Sequence, residues 1–490
     1  VSLYESTHKI VLKLKDENIY RTGVDMGLHS GVDGFFDKWQ EVDSGTNNTW
    51  IEYTPPNVEV SDSEGTQLAF FTTLKDAFDK INDGTFTGDI VVKIHNSTSE
   101  YASSILNASG SGNIYTSVNI YPTKSGVSIT GNLTSPLIDL KGADNVIIDG
   151  RVNATGTVKN LSLINLNTSN GNSTSTIRLI NGATNNTIRY CIIKGAQTKN
   201  TSGVLLFSTS NSSSGNSNNL IDNNNITSLS AADRPENVIY SLGTNGKNNI
   251  LNTISNNNVY DFFRKNSASN GIYLRKNSQN WTINGNSFYE TSPFLASNNG
   301  VYNVIKVRNN SINGTIIKNN FIGGSAPFCV GNWEKLNGTD NEFSAIHILT
   351  GTTTPTSIQN NTIKNFDWKN SGNKEWLGIE VIRGNVNIGD TSGNTIGDIT
   401  GTESIKVTGG TNTQFVYGIK IANTGIVNCN NNNIGSISGL VTSTNSTNLY
   451  GIHLSGDFTG ELKNNFIGSP STSSSLNAIS PNTTRAQNVY

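Results

Sequence analysis

The chain has 490 residues, a net charge of −2 and a charged fraction of 14%, against roughly 25% in ordinary soluble proteins. Near-neutrality gives no electrostatic basis for gripping nucleic acid or an anionic membrane, and no apolar run approaches the ~18 residues that a membrane-crossing helix needs. Cys191, Cys329 and Cys429 make neither a disulfide framework nor metal-ligand spacing; Cys191 and Cys429 read as small buried hydrophobes, and no pattern asks for a cofactor or a metal.

Residues 1–65 stand apart. They carry a mixed apolar and charged run, Ile10-Val11-Leu12-Lys13-Leu14-Lys15, together with Trp39 and Trp50 and few Asn, and read as a strand-rich segment or the tail of a preceding domain. Next, Leu74, Ala77, Phe78 and Ile81 fall on one helical face. A helix is expected over 73–82, capped by Thr72 or Thr73 and stopped by Asn82-Asp83-Gly84. Standing just before a repeat region, it is expected to cover the open end of a stack. Short strands follow at 90–94, 117–121 and 146–148, the last closed by Asp149-Gly150.

From about residue 150 the chain repeats. Of its 75 Asn, 64 lie after position 150. Asn-Asn-x-Ile cores read Asn185-Asn186-Thr187-Ile188, Asn218-Asn219-Leu220-Ile221 and Asn248-Asn249-Ile250-Leu251, with looser copies at Asn280-Trp281-Thr282-Ile283, Asn313-Gly314-Thr315-Ile316, Thr356-Ser357-Ile358-Gln359 and Val427-Asn428-Cys429-Asn430. An apolar anchor follows each, in the series Ile193, Ile226, Val259, Phe288, Phe321, Ile363, Ile396, Ile434 and Phe466, most steps being close to 33 residues. A second strand repeats with a Gly-Ile lead, as in Gly271-Ile272-Tyr273-Leu274, Gly378-Ile379-Glu380-Val381, Gly418-Ile419-Lys420-Ile421 and Gly451-Ile452-His453-Leu454.

Apolar clusters of four to six residues broken by Asn and Gly are strands, not helices. A near-fixed period means stacked copies of one unit. The expected fold is all-β: a right-handed parallel β-helix over 66–490 with a short N-terminal capping helix. Its roughly eleven coils would extend on the order of 50 Å, with Ile193, Ile226, Val259, Phe288 and Phe321 in one buried column. Asn suits the turns, since it tolerates the left-handed backbone region, and stacked Asn amides can bond one another. The start at Val1 and the stop at Asn488-Val489-Tyr490, where another Gly-Ile strand is due, lead to the expectation of a fragment of a longer protein.

The run from Phe71-Thr72-Thr73-Leu74-Lys75 through Asn119-Ile120-Tyr121-Pro122 to Asn145-Val146-Ile147-Ile148-Asp149-Gly150 resembles the start of large Asn-rich β-helix proteins secreted by Bacteroidota. Asn256-Asn257-Asn258-Val259-Tyr260-Asp261-Phe262 and Asn319-Asn320-Phe321-Ile322-Gly323-Gly324-Ser325 carry the same likeness. It covers 66–490 and leaves 1–65 uncovered. The resemblance implies a secreted or cell-surface location, passage through outer-membrane secretion machinery of type IX, and no assigned biochemical activity.

The same architecture hosts polysaccharide lyases and glycosidases, so fold alone does not decide. The Asn-Thr-Asp, Asp-Asp, Gly-His-Gly and Arg-Ile-Lys segments of polygalacturonase-like members are absent, and no acidic cluster stands out on one face. His8, His29, His95, His347 and His453 are scattered, the last two in apolar strands that would point them to solvent. No catalytic residue is expected. Trp333, Trp368 and Trp376 are the candidate glycan contacts, an exposed platform for sugar rings; the alternative is that they pack a long loop onto the solenoid. Thr187, Thr253, Thr282, Thr315 and Thr362 recur too loosely for the flat array that ice binding requires. The expected role is a non-enzymatic stalk, adhesin or matrix component, with surface glycans or other surface proteins as partners; the alternative is a carbohydrate-active enzyme or carbohydrate-binding module.

Overall fold

The computed structural model describes residues 2–6, 9–13, 50–53, 56–65, 68–110, 112, 114–169, 174–310, 314–422, 425–457, 459–481 and 487–490. His8, Leu14, Lys15, His29, Trp39 and Asn313 lie outside the described residues. From Gly88 onward each coil gives one strand to each of three long sheets, and neighbouring coils pair in parallel. Thr187–Arg189, Cys191–Gly195 and Leu205–Phe207 are one such coil, and Leu220–Asp222 begins the next. The second and third sheets hold 12 strands each, one coil more than the period suggests. This is a parallel β-helix.

Its interior is a set of apolar columns running along the axis. In the first sheet Ile148, Ile188, Ile221, Ile254, Ile283 and Ile317 stack in register. In the second, Ile193, Ile226, Val259 and Phe288 stack as expected, but the next member is Ile322, not Phe321, and the column ends on Ile467, not Phe466. The reason is the period of two along a strand: the residue beside a buried one faces out. Phe321 accordingly packs against Phe328 on the outer surface, ring centroids 5.1 Å apart. The Gly-Ile strands form the third column, Ile272, Ile305, Ile346, Ile379, Ile419 and Ile452. Glycine leads four of them, where the coils press together: a Cβ on Gly418 would lie 2.6 Å from the Gly451 carbonyl oxygen, while Val304 and Ala345 lead Ile305 and Ile346.

The Asn pairs divide two tasks. The first Asn takes the left-handed conformation at the corner, as at Asn185, Asn218, Asn223, Asn256, Asn319, Asn360 and Asn431. The second turns inward. Asn224, Asn257, Asn286, Asn320, Asn361, Asn394, Asn432 and Asn465 form an amide ladder, each side chain accepting from the backbone N–H and amide of the Asn one coil earlier. A shorter ladder joins Asn186, Asn219 and Asn252. Its third member corrects the repeat alignment. Asn252 pairs with Asn219, while Asn249 pairs with Asn216, so the segment Asn248-Asn249-Ile250-Leu251 is out of register and Leu251 occupies the left-handed corner.

Among the described residues a single α-helix, α1 (Leu74–Asn82), precedes the coils. The Thr73 hydroxyl caps it, accepting from Asp76 N at 3.1 Å, and Leu74, Ala77, Phe78 and Ile81 are buried. The buried Glu100 carboxylate accepts from Leu74 N and Lys75 N at 3.0 and 2.9 Å, where the helix dipole favours negative charge. Asn82 bonds Ile105 O and Asn107 N of the first strand in the third sheet, so α1 lies over that end of the stack. Val58–Asp62 pairs antiparallel with Gly88–Ile94 and already belongs to this unit, whereas Ser2–Ser6, Lys9–Lys13 and Trp50–Tyr53 form a separate antiparallel sheet.

Candidate functional site

The three tryptophans do not make a platform. Trp333, Trp368 and Trp376 are each 0% exposed. The insertion that lengthens the repeat after Phe321 supplies a strand, Trp333–Lys335, which starts a fourth sheet continued by Phe366–Lys369, Ile405–Gly409, Ile437–Val441 and Leu476–Ile479. Trp333 and Trp368 project inward from that sheet, and Trp376 projects inward from the third. Trp333 stacks on Phe366 at 5.3 Å and Trp376 on Phe343 at 5.4 Å. With Phe263 and Tyr302 these rings fill the coil that the fourth side widens. No face is left for a sugar.

Lys335 is enclosed with them. Its ammonium donates to Asn337 O at 2.9 Å, Thr339 O at 2.5 Å, Lys369 O and Asn370 Oδ1, and sits 5.4 Å from the Trp368 ring centroid. Burial drives its pKa down to about 7, opposed by the charge of Asp340. The oxygen cage satisfies the cation, so Lys335 is a strut of the insertion. Glu290 is similar. Burial raises it to about 7 against the pull of Arg234, and its carboxylate accepts from Phe262 N and Phe263 N, both at 2.9 Å, and from Arg234.

An open cleft of about 450 Å³ is lined by Thr291, Ser292, Pro293, Asn332, Glu334 and Asn365. Its lining is polar, with Glu334 the one ionisable group. All three cysteines are free and buried; burial pushes Cys329 and Cys429 up to about 12, which leaves them unreactive thiols. Among the described residues no group of His, Cys, Asp and Glu is arranged to hold a metal ion, and no helix is long and apolar enough to cross a membrane. Thr187, Thr253 and Thr282 share an outward column but Leu220 and Ile316 interrupt it, Thr315 is buried, and Thr362 is in the second sheet.

The residues that do converge are on the outer face of the third sheet. Asp139, Arg178, Leu206, Tyr240, Tyr273, Lys306, His347, Glu380, Lys420 and His453 occupy one register position on successive coils. His347 and His453, scattered in the sequence, thus stand in one row, and Glu236, Glu342 and Glu375 flank it. An acidic cluster does exist on one face, contrary to the sequence reading, because stacking brings together residues 33 to 41 positions apart. The visible signal was the residue after each Gly-Ile, which changes from Tyr273 to Glu380, Lys420 and His453 while its neighbours stay fixed.

Much of the row is ion-paired. Asp139 and Arg178 meet at 2.7 Å, His347 Nδ1 and Glu380 at 2.7 Å, and Lys420 pairs with Glu375. Burial works to raise Glu380, but the hydrogen bond and charge of His347 outweigh it and hold the carboxyl below its ordinary value. Glu342 goes the other way: burial raises it, and the charge of Glu380 raises it further. Lys306 is lowered, first by burial and then by the repulsion of Arg308. Past Lys420 the aromatic rings of Tyr417, Tyr450 and Tyr490 stack at 4.9 and 4.8 Å. Comparison with known protein families and with curated proteins finds no match for this chain.

Proposed function

We propose that this chain is a non-enzymatic extracellular or cell-surface β-solenoid, serving as stalk, adhesin or matrix component. The observation that carries this reading is the outward row of the third sheet. It is an outer row, partly covered, in which Arg178 and Lys420 neutralise Asp139 and Glu375 from adjacent coils and His347 hydrogen-bonds Glu380. Such a row suits contact along its length, and the columns and ladders beneath it make a stiff rod. Outer-membrane secretion machinery would deliver the protein, and surface glycans or other surface proteins would be its partners. Protease accessibility of the protein on intact producing cells tests the location. Protection equal to that of an internal marker would sink it.

A second reading is a carbohydrate-active enzyme or carbohydrate-binding module. It is favoured by Glu342 and Glu380, neighbouring carboxyls whose environments push their pKa values apart. Incubating the protein with pectin, alginate and glycosaminoglycan panels separates the two. The first reading expects no new reducing or unsaturated ends. Release of such ends, abolished in both Glu342→Gln and Glu380→Gln, would establish the second.

A further inference from the structure

The row is not neutralised everywhere. Tyr273 pairs with Lys306 on the next coil, and Leu274 with Val307, and Arg275 and Arg308 come next on the two chains. Among the described residues Arg275, Lys306 and Arg308 have no ion-pair partner. The Lys306 ammonium is 5.1 Å and the Arg275 guanidinium 6.0 Å from the Tyr273 ring centroid, and Arg275 donates to the Tyr240 hydroxyl at 3.1 Å. The two tyrosine rings meet edge to face at 5.5 Å over Leu206. They hold two of the cations in place, while Arg308 stands exposed beside them.

We propose that Arg275, Lys306 and Arg308 bind the anionic group of one acidic sugar in a glycan laid along the solenoid axis. Lys306 and Arg308 repel each other, the charges of Glu342, Glu380 and Glu236 offset only part of this at Lys306, and an anion beside Arg308 relieves the rest. Arg guanidinium groups match carboxylate and sulfate oxygens in pairs. The glycan's direction follows from the row: each coil advances roughly 4.8 Å, close to the step of one sugar in an extended chain. A neutral sugar on the next coil would lie over His347. A regularly charged polyanion fits worse. The next positions after Lys306 are His347 and Glu380, and nucleic-acid binding needs a longer run of cations to neutralise successive phosphates.

This assignment rests on the surface-solenoid reading, but the two fail separately. If the protein is exposed on cells and no acidic glycan binds, only this site falls. If acidic glycan binds and the protein stays inside the cell, the location falls and the site stands. The experiment is calorimetric titration of the full chain with a uronate-terminated oligosaccharide, a sulfated one, and the neutral parent of the same length. Binding of one or both acidic forms and not the neutral one is expected, and the stronger of the two identifies the anion. Arg308→Gln, at an exposed position that does not endanger folding, and Lys306→Met should each weaken binding about tenfold. Lys318→Met, on the first sheet, should change nothing. Equal affinity for the neutral oligosaccharide, unchanged affinity in both row variants, no acidic binding at roughly millimolar concentration, or equal binding of single-stranded DNA overturns the proposal.

Discussion

Replacing Asn320 by Ala cuts the long ladder at its middle. The Asn320 Oδ1 accepts from the Asn286 backbone N–H and amide, both at 3.0 Å, and its own amide donates to Ile283 O and Asn361 Oδ1, both at 2.9 Å. Asn286 Nδ2 keeps its bond to Ile254 O, and Asn361 Oδ1 still accepts from the backbone N–H of residue 320. The Asn286 N–H and the side-chain bond to Ile283 O are lost outright, in a site that is 0% exposed at both Asn286 and Asn320. At about 1–3 kcal/mol for each buried group left without a partner, the expected loss for the two is about 2–6 kcal/mol. Urea unfolding followed by circular dichroism measures it as a shift in midpoint at unchanged slope. The exposed Asn373→Ala serves as control and should stay within about 0.5 kcal/mol. If Asn320→Ala also stays within that margin, the ladder is a by-product of Asn-rich corners and does not hold the coils together.

Phe78→Ala, at a 0% exposed position of α1, should cost about 3–5 kcal/mol in the same assay and expose the first coil to proteolysis; a near-neutral result would mean that the helix does not cover the stack. Trp368→Ala should cost about 3–5 kcal/mol, because the ring is buried among Phe343, Tyr302 and the Lys335 ammonium; a change in glycan binding at unaltered stability would contradict its burial. Burial raises Glu290 from an ordinary 4.5 to about 7, so the folded chain binds more protons than the unfolded chain in that window, and stability should fall as pH rises through it. Glu290→Gln should flatten that part of the stability curve measured by thermal melts across pH, and an identical slope in both proteins would refute the assignment.

The sequence by itself determined the architecture. A period near 33 residues, strands of a few apolar residues and Asn at the corners leave a chain little choice but to stack, and α1 announced itself by its face of Leu74, Ala77, Phe78 and Ile81. Local chemistry fixes those features, because left-handed corners select Asn and period-two alternation selects the buried side. Register was less legible. Phe321 beside Ile322, and Asn249 three residues before Asn252, are equivalent in composition, and only pairing with the neighbouring coil decides which turns inward. The site was least legible of all. Whether Trp333 faces solvent or core depended on its insertion becoming a strand of a fourth sheet, a matter of what the adjacent coils offer it for pairing. The row from Asp139 to His453 exists only because coils stack at one strand spacing, which places side chains dozens of residues apart within reach of one another's charge. Tertiary structure alone makes that neighbourhood.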